Sequence, residues 1–249
     1  MTTAATAPRG QVGGQVGAPV AGPGRHGLPG VFIVLEGTDR AGRSTHVRLL
    51  EQHLRYGGRG VTRTSLATSI LAAGPIRVAK HERRMDPVET VLLYAADLAE
   101  RIEQVIVPSL RAGLVVLADR YVYTPMARAA TRAVDPDWLD LLFSFAPPPD
   151  VTLVLDVDAA TALARQGRHA PGRYEAGLDL GLSKDALKSF RLFQDRLHEW
   201  FERQTPRYNF SPIDARGTPE VVEALIEPAV DAVLDARLGR RPGPGVARR

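Results

Sequence analysis

The run G-T-D-R-A-G-R-S-T, from Gly37 to Thr45, follows the apolar stretch Val31 to Leu35 and leads into the helical spacing of Val47, Leu49, Leu50 and Leu54. A buried strand, a glycine-bearing turn and a helix in that order leave few folds open. The turn reads as a phosphate-binding loop. Its backbone N–H groups can curl around an anion, and the helix that follows points its partial positive end at the same place. The residues that would cradle a donor nucleotide are Gly37, Thr38, Asp39, Arg40, Ala41, Gly42, Arg43, Ser44 and Thr45. The common pattern G-x-x-x-x-G-K-[ST] carries a lysine for the outer phosphates and a hydroxyl for Mg²⁺. Here Arg43 stands in the lysine position and Ser44 supplies the hydroxyl. Arginine keeps the charge but replaces a compact ammonium with a longer planar fork, so the two are not equivalent.

A second buried run, Leu114 to Ala118, ends in Asp119-Arg120-Tyr121. A carboxylate at the end of a neighbouring parallel strand can hold Mg²⁺ opposite the loop hydroxyl, and strand ends are where open α/β sheets bind ligands. Ser44 and Asp119 are therefore the expected metal residues. An aspartate that only caps the next helix would look the same in the sequence.

The remaining pattern alternates strands with helices: strands at Val31 to Glu36, Val61 to Thr64, Leu114 to Ala118, Val151 to Val157 and Phe210 to Ile213, and helices from Ser44 to Tyr56, Pro87 to Arg111, Ala159 to Arg165, Lys184 to Gln204 and Pro219 to Leu238. Shorter helices follow Asp119 and Asp135-Pro136. Asp86, Pro87 and Glu89 form a helix-start signature with a capping box. This alternation predicts a three-layer α/β fold, a central parallel sheet covered by helices on both faces.

One domain is expected over residues 31–238, since 249 residues with 44% hydrophobic content bury one substantial core. Residues 1–30, rich in Gly, Pro, Ala and Thr, and the basic residues 239–249 read as flexible tails. No segment approaches the roughly eighteen apolar residues of a membrane span, and no signal-peptide core is present, so a cytoplasmic protein is expected. The absence of cysteine removes disulfides, thiolate metal sites and thiol nucleophiles together. A formal charge of +4 is accounted for by the basic tail and by a site for small anions. Aromatic residues do not interleave with the basic ones, so nucleic acid is not an expected partner. His46 and His53 lie on one helix face and read as a half-buried stripe, not a metal pair.

Taken together, E-G-T-D-R-A-G-R-S-T, L-L-Y-A-A-D, V-V-L-A-D-R-Y and a late I-D-A resemble the thymidylate kinases, over roughly Val31 to Leu234. The resemblance implies a five-stranded P-loop NTPase domain that phosphorylates dTMP with ATP and Mg²⁺ in the cytoplasm, as a homodimer. It implies roles for Asp39 as the loop carboxylate near the acceptor sugar, Arg40 as an extra loop arginine, and Asp119 with Arg120 as organisers of magnesium and the acceptor phosphate. It also implies a lid over about residues 165–182, with Arg165, Arg168 and Arg173 over the donor phosphates and G-R-Y-E in place of D-R-x-E. The expected catalytic set is Arg40, Arg43, Asp119, Arg120, Arg168 and Arg173. The departures lie on the acceptor side. Arg63-Thr64-Ser65 stands where the family has R-E-P-G-G, Leu98 where it has a base-contacting arginine, and Thr124 to Ala129 where it has serines and A-Y-Q-G. Another phosphorylated acceptor, or a non-catalytic ATP-binding switch, is the alternative reading.

Overall fold

The computed structural model describes residues 26–81, 86–165 and 171–239. The sequence-based expectations for residues 1–25 and 240–249 lie outside them. The chain runs β1 (Val31–Gly37), α1 (Arg43–Tyr56), β2 (Val61–Ser65), α2 (Ala73–His81), α3 (Pro87–Arg101), α4 (Val107–Arg111), β3 (Val115–Asp119), α5 (Tyr123–Ala130), α6 (Pro136–Leu142), β4 (Val151–Asp156), α7 (Ala159–Ala164), α8 (Ala186–Tyr208), β5 (Ser211–Asp214) and α9 (Pro219–Leu238).

All seven residues of β1 are buried, because it lies at the centre of a five-stranded sheet of order β2-β3-β1-β4-β5. Every pairing is parallel, as the alternation of strands and helices required. Successive β1 side chains point to opposite faces. Val31, Ile33 and Leu35 pack with Leu50 and Leu54 of α1 and Ile226 and Val230 of α9. Phe32 and Val34 pack on the other face with Leu98, Met126, Phe193 and Leu197 from α3, α5 and α8. Those are the three expected layers. The register sets Leu35 and Ser65 opposite Asp119, so β1, β2 and β3 end at one level. β1 is flanked by β3 on one side and β4 on the other, which places the chain reversal, and the crevice that goes with it, at the end of β1.

The capping box at Asp86 forms in full: Val88 N donates to Asp86 Oδ1 at 2.8 Å and Asp86 N to Glu89 Oε2 at 3.0 Å. The helix from Pro87 to Arg111 is continuous, but α3 and α4 are joined by a π-helical turn, Ile102–Ile106. Val107 N donates to Ile102 O there, one residue further back than in an α-helix. Pro108 follows at once; it has no N–H, and its ring would crowd the preceding turn, which the widened turn relieves. No helix was expected at α2, where Gly74 and Pro75 stand in the first turn; proline is tolerated there because it lacks the N–H that a first-turn residue would leave without a helical partner in any case. It also stopped α8 at Gln204; the helix continues past Pro206 to Tyr208, whose ring packs with Trp200 and Tyr123. At the entry to β1, His26 Nε2 meets Asp150 Oδ2 at 3.0 Å, and Arg237 Nη2 donates to Leu28 O at 3.0 Å.

Leu50 is fully buried between the sheet and α9. Leu50→Ala is expected to lower the unfolding free energy by about 2–5 kcal/mol, the cost of lost apolar contact plus a cavity. Urea titration checks this: the midpoint falls while the slope stays constant.

Candidate active site

The loop after β1 takes its shape from backbone sterics. Gly37 has φ 134°, and a Cβ there would meet Leu155 O at 2.7 Å, so only glycine fits. Gly42, at φ 96°, sits just before α1 and brings no capping side chain, which leaves the first N–H groups of the helix without a side-chain partner. Arg40, at the apex, adopts φ 68° although it carries a side chain. It is exposed, and its guanidinium makes no hydrogen bond among the described residues.

Arg43 does not project from the loop. Its Nη1 donates to Gly37 O at 2.8 Å and to Thr38 O, and its Nε donates to Asp119 Oδ1 at 3.1 Å. The guanidinium is buried, and burial first, then the neighbouring Arg120, pull its pKa down to about 10, so it stays charged at neutral pH. Ser44 Oγ donates to the other Asp119 oxygen at 3.2 Å. The loop and the end of β3 are thus tied together at one carboxylate. Ser44 and Asp119 are hard oxygen donors, and no group of three or more acidic, His or Cys residues suited to a metal exists among the described residues. Hard oxygen donors such as these fit Mg²⁺, which takes one or two protein oxygens and completes its shell with water and phosphate.

Asp39 is the other centre of charge. Its Oδ1 accepts from Arg120 Nη2 and its Oδ2 accepts from Arg128 Nη2 at 2.7 Å and Gln194 Nε2 at 3.1 Å, while its own N donates to Gln194 Oε1 at 2.8 Å. Burial alone would push this carboxyl up; Arg128, Arg120 and Arg43 outweigh it and hold it far below the ordinary range. Beneath the loop, fully buried Glu36 accepts from Tyr121 N at 2.8 Å, Thr124 N at 3.1 Å and Thr124 Oγ1 at 2.6 Å. Burial raises its pKa against those bonds. Glu36 thereby sets the turn after β3, in which Arg120 is held at φ 70°.

These groups border one cleft of about 300 Å³. Its walls include Asp39, Arg43, Ser44, Asp119 and Arg120, all anticipated, and Lys80, Tyr94, Arg128 and Glu175, to which no role had been assigned. Thr124 and Arg128, one turn apart on α5 and both tied to the Asp39–Arg120 cluster, carried a helical-spacing signal for this wall. Lys80 carried none, because α2 itself was not read. Of the three arginines expected in a lid, two are described. Arg165 donates to Ala215 O at 2.7 Å and Gly217 O at 3.2 Å, Arg173 is exposed and outside the cleft wall, and Arg168 lies outside the described residues. Tyr174 does face inward: Arg128 and Arg132 lie 5.1 and 4.4 Å from its ring centre. Arg63 is drawn to Glu51 at 2.9 Å, and Leu98 is buried in the core, not in the cleft. The histidine stripe is a seam between α1 and α9: His46 meets Glu223 at 2.7 Å and His53 meets Glu227 and Asp231 at 3.4 and 3.1 Å.

Comparison with known proteins gives one family. The thymidylate kinase family model matches residues 35–226. The chain is 31% identical over 214 residues to a probable thymidylate kinase 2 of Saccharolobus solfataricus, covering 85% of this chain and 100% of that one. It is 34% identical over 208 residues to a thymidylate kinase of Cereibacter sphaeroides, covering 80% and 93%. With a thymidylate kinase of Leifsonia xyli the identity is 41% over 153 residues, 59% of this chain and 72% of that one.

Asp39 ties acid stability to the cleft. In the unfolded chain it takes up a proton near its ordinary 3.8, whereas in the fold it resists protonation. Its stabilisation is therefore fully present above about pH 5 and is lost as the pH falls below about 4. Unfolding free energy measured between these acidities and about pH 2 should fall less steeply in Asp39→Asn than in the parent. Equal slopes would uncouple the Asp39 charge from folding.

Proposed function

The chain belongs to the thymidylate kinase family, and on that premise we propose that it transfers the terminal phosphoryl group of ATP to a nucleoside monophosphate, dTMP before others. The observation that carries this reading is the meeting of Arg43 and Ser44 on the two oxygens of Asp119, at 3.1 and 3.2 Å, in the cleft where Arg120 and Arg128 converge on Asp39. A donor site and an acceptor site then share one cavity.

The donor phosphates lie on the loop N–H groups and the uncapped start of α1. Ser44 and Asp119 would hold Mg²⁺, which would offset the negative charge of the transferred group. Arg43, fixed by the carbonyls of Gly37 and Thr38, keeps a positive charge at the loop mouth. An oxygen of the acceptor phosphate attacks the terminal phosphorus of ATP, the new O–P bond forms, and the bond to the β-phosphate oxygen breaks to release ADP. No protein nucleophile is needed. Nor is Asp39 a base: Arg128 and Arg120 hold it ionised, and the acceptor oxygen is largely deprotonated at neutral pH. Asp39 instead orients the arginines, of which Arg120 meets the acceptor phosphate. Exposed Arg40 and Arg173 are the further charges for the donor phosphates.

The same reading carries nucleotides, not nucleic acid, as ligands and the cytoplasm as location; among the described residues no helix is long and apolar enough to cross a membrane. It also carries a homodimer. The outer face of α3 shows Val88 (39% exposed) and Leu92 (46%), continuous with exposed Ala96 and Ala99, and Ile70 (93%) and Leu71 (76%) lie nearby. Such a stripe is an apolar surface awaiting a partner.

Incubation with ATP and Mg²⁺ against dTMP, dUMP, UMP, CMP, AMP and GMP, with diphosphates resolved by chromatography, should yield dTDP selectively; silence across the panel would sink the proposal. Asp119→Ala should lower kcat by about 100- to 1000-fold, the scale of losing one aligned electrostatic group. Light scattering should find Leu92→Glu at half the mass of the parent.

A further inference from the structure

Four cations border the cleft: Arg43, Lys80, Arg120 and Arg128. Three are already engaged. Arg43 is bound to Asp119, and Arg120 and Arg128 share the one carboxylate of Asp39. Lys80 differs. Among the described residues its ammonium has no hydrogen bond and no ion pair, and its one contact is the face of Tyr94, 5.9 Å to the ring centre. Glu175, which also faces the cleft, attracts it without forming an ion pair. Burial lowers the pKa of Lys80 first, and repulsion from Arg128 and Arg120 lowers it further. Among the described residues this half-buried cation has no anion in ion-pair contact, and the surplus charge at this end of the cleft is a place for one. Resting on the phosphotransfer reading, we infer that Lys80 is a binding residue for the phosphate of the acceptor nucleotide.

The geometry assigns Lys80 to the phosphate and not to the base. The charges around it are the cations Arg128 and Arg120 and the carboxylates Glu175 and Asp39; with both arginines already sharing Asp39, this end of the cleft keeps a net positive charge that suits a phosphate, whereas reading a base carbonyl needs one donor. A lysine also suits a ligand that arrives and leaves, because its point charge on a flexible stem engages phosphate without the alignment an arginine fork requires. Arg63, the arginine nearest the end of β2, is held by Glu51 of α1 and does not border the cleft. Lys80 reaches the cleft from α2, which Ile76 anchors beside Tyr94 in a small core of its own.

The test compares dTMP with thymidine, which lacks the phosphate, by titration calorimetry on the parent, Lys80→Met and Lys80→Arg. Lys80→Met should weaken dTMP at least tenfold and thymidine less than twofold. Lys80→Arg should recover most of the dTMP affinity, and thermal melting should find all three equally folded. In turnover, KM for dTMP should rise while KM for ATP stays within twofold. Equal weakening of dTMP and thymidine would overturn the assignment, making Lys80 a contact to the nucleoside or a structural residue. Unchanged dTMP binding in Lys80→Met, against a parent that binds, would overturn it alone. A parent that binds neither ligand would take the functional reading down with it.

Discussion

The shared carboxylate of Asp39 adds a charged tie between parts of the chain that the apolar core already brings near each other. Through it the loop after β1 is fastened to Arg120 in the turn after β3, to Arg128 on α5 and to Gln194 on α8. Gln194 extends the link to Glu175, whose carbonyl accepts from its Nε2 at 3.1 Å. A buried carboxylate is costly by itself, and removing one partner from a buried pair typically costs about 3–5 kcal/mol. Two guanidiniums and an amide make this burial sustainable. The cost falls on the arginines instead: Arg128 Nη1 is buried without a partner. Opposing charges in a dry cavity are strongly coupled, so displacement of one member is felt by all.

Arg43 sharpens the same theme. A lysine at this position would place one point charge near the outer phosphates, while the arginine bridges two loop carbonyls and Asp119 at once. The loop is thereby clamped to β3 as well as to α5 and α8. The clamp is local and multidentate: the guanidinium spreads its donors over a planar fork that reaches all three acceptors, where an ammonium offers its three from a single point. Glu36 completes the arrangement from below, since its buried carboxylate takes two backbone N–H groups and a hydroxyl from the turn that presents Arg120.

Legibility in the sequence followed the range of the interaction. The strand before the loop, the glycine at Gly37, the Ser44 hydroxyl and the Asp119 strand end were readable because each depends on neighbours within a few residues. So was the capping box of Asp86 and Glu89. What escaped was long-range or disguised. α2, with Gly74 and Pro75 in its first turn, was not anticipated. Lys80 went with it. Arg63 shares a face of β2 with Ser65, but it lies one pleat before the strand end that lines the cleft and is captured there by Glu51 from α1. Leu98 occupies a motif position that suggests a ligand contact, yet it is buried in the core, while Tyr94, one turn earlier on the same face of α3, borders the cleft, so position along the helix and not its phase separates the two.

By itself, the sequence determined the parallel α/β architecture, the phosphate loop and the pairing of that loop with a strand-end carboxylate, because hydrophobic period, glycine sterics and capping chemistry are local properties. The tertiary structure decided which charges meet. Asp39, Arg120, Arg128 and Gln194 are brought together across separations of up to 155 residues, and the lid arginine Arg165 is carried away to the backbone beyond β5. Coulomb attraction has no sequence period. It selects among charged side chains only after the sheet register and helix packing have set the distances between them.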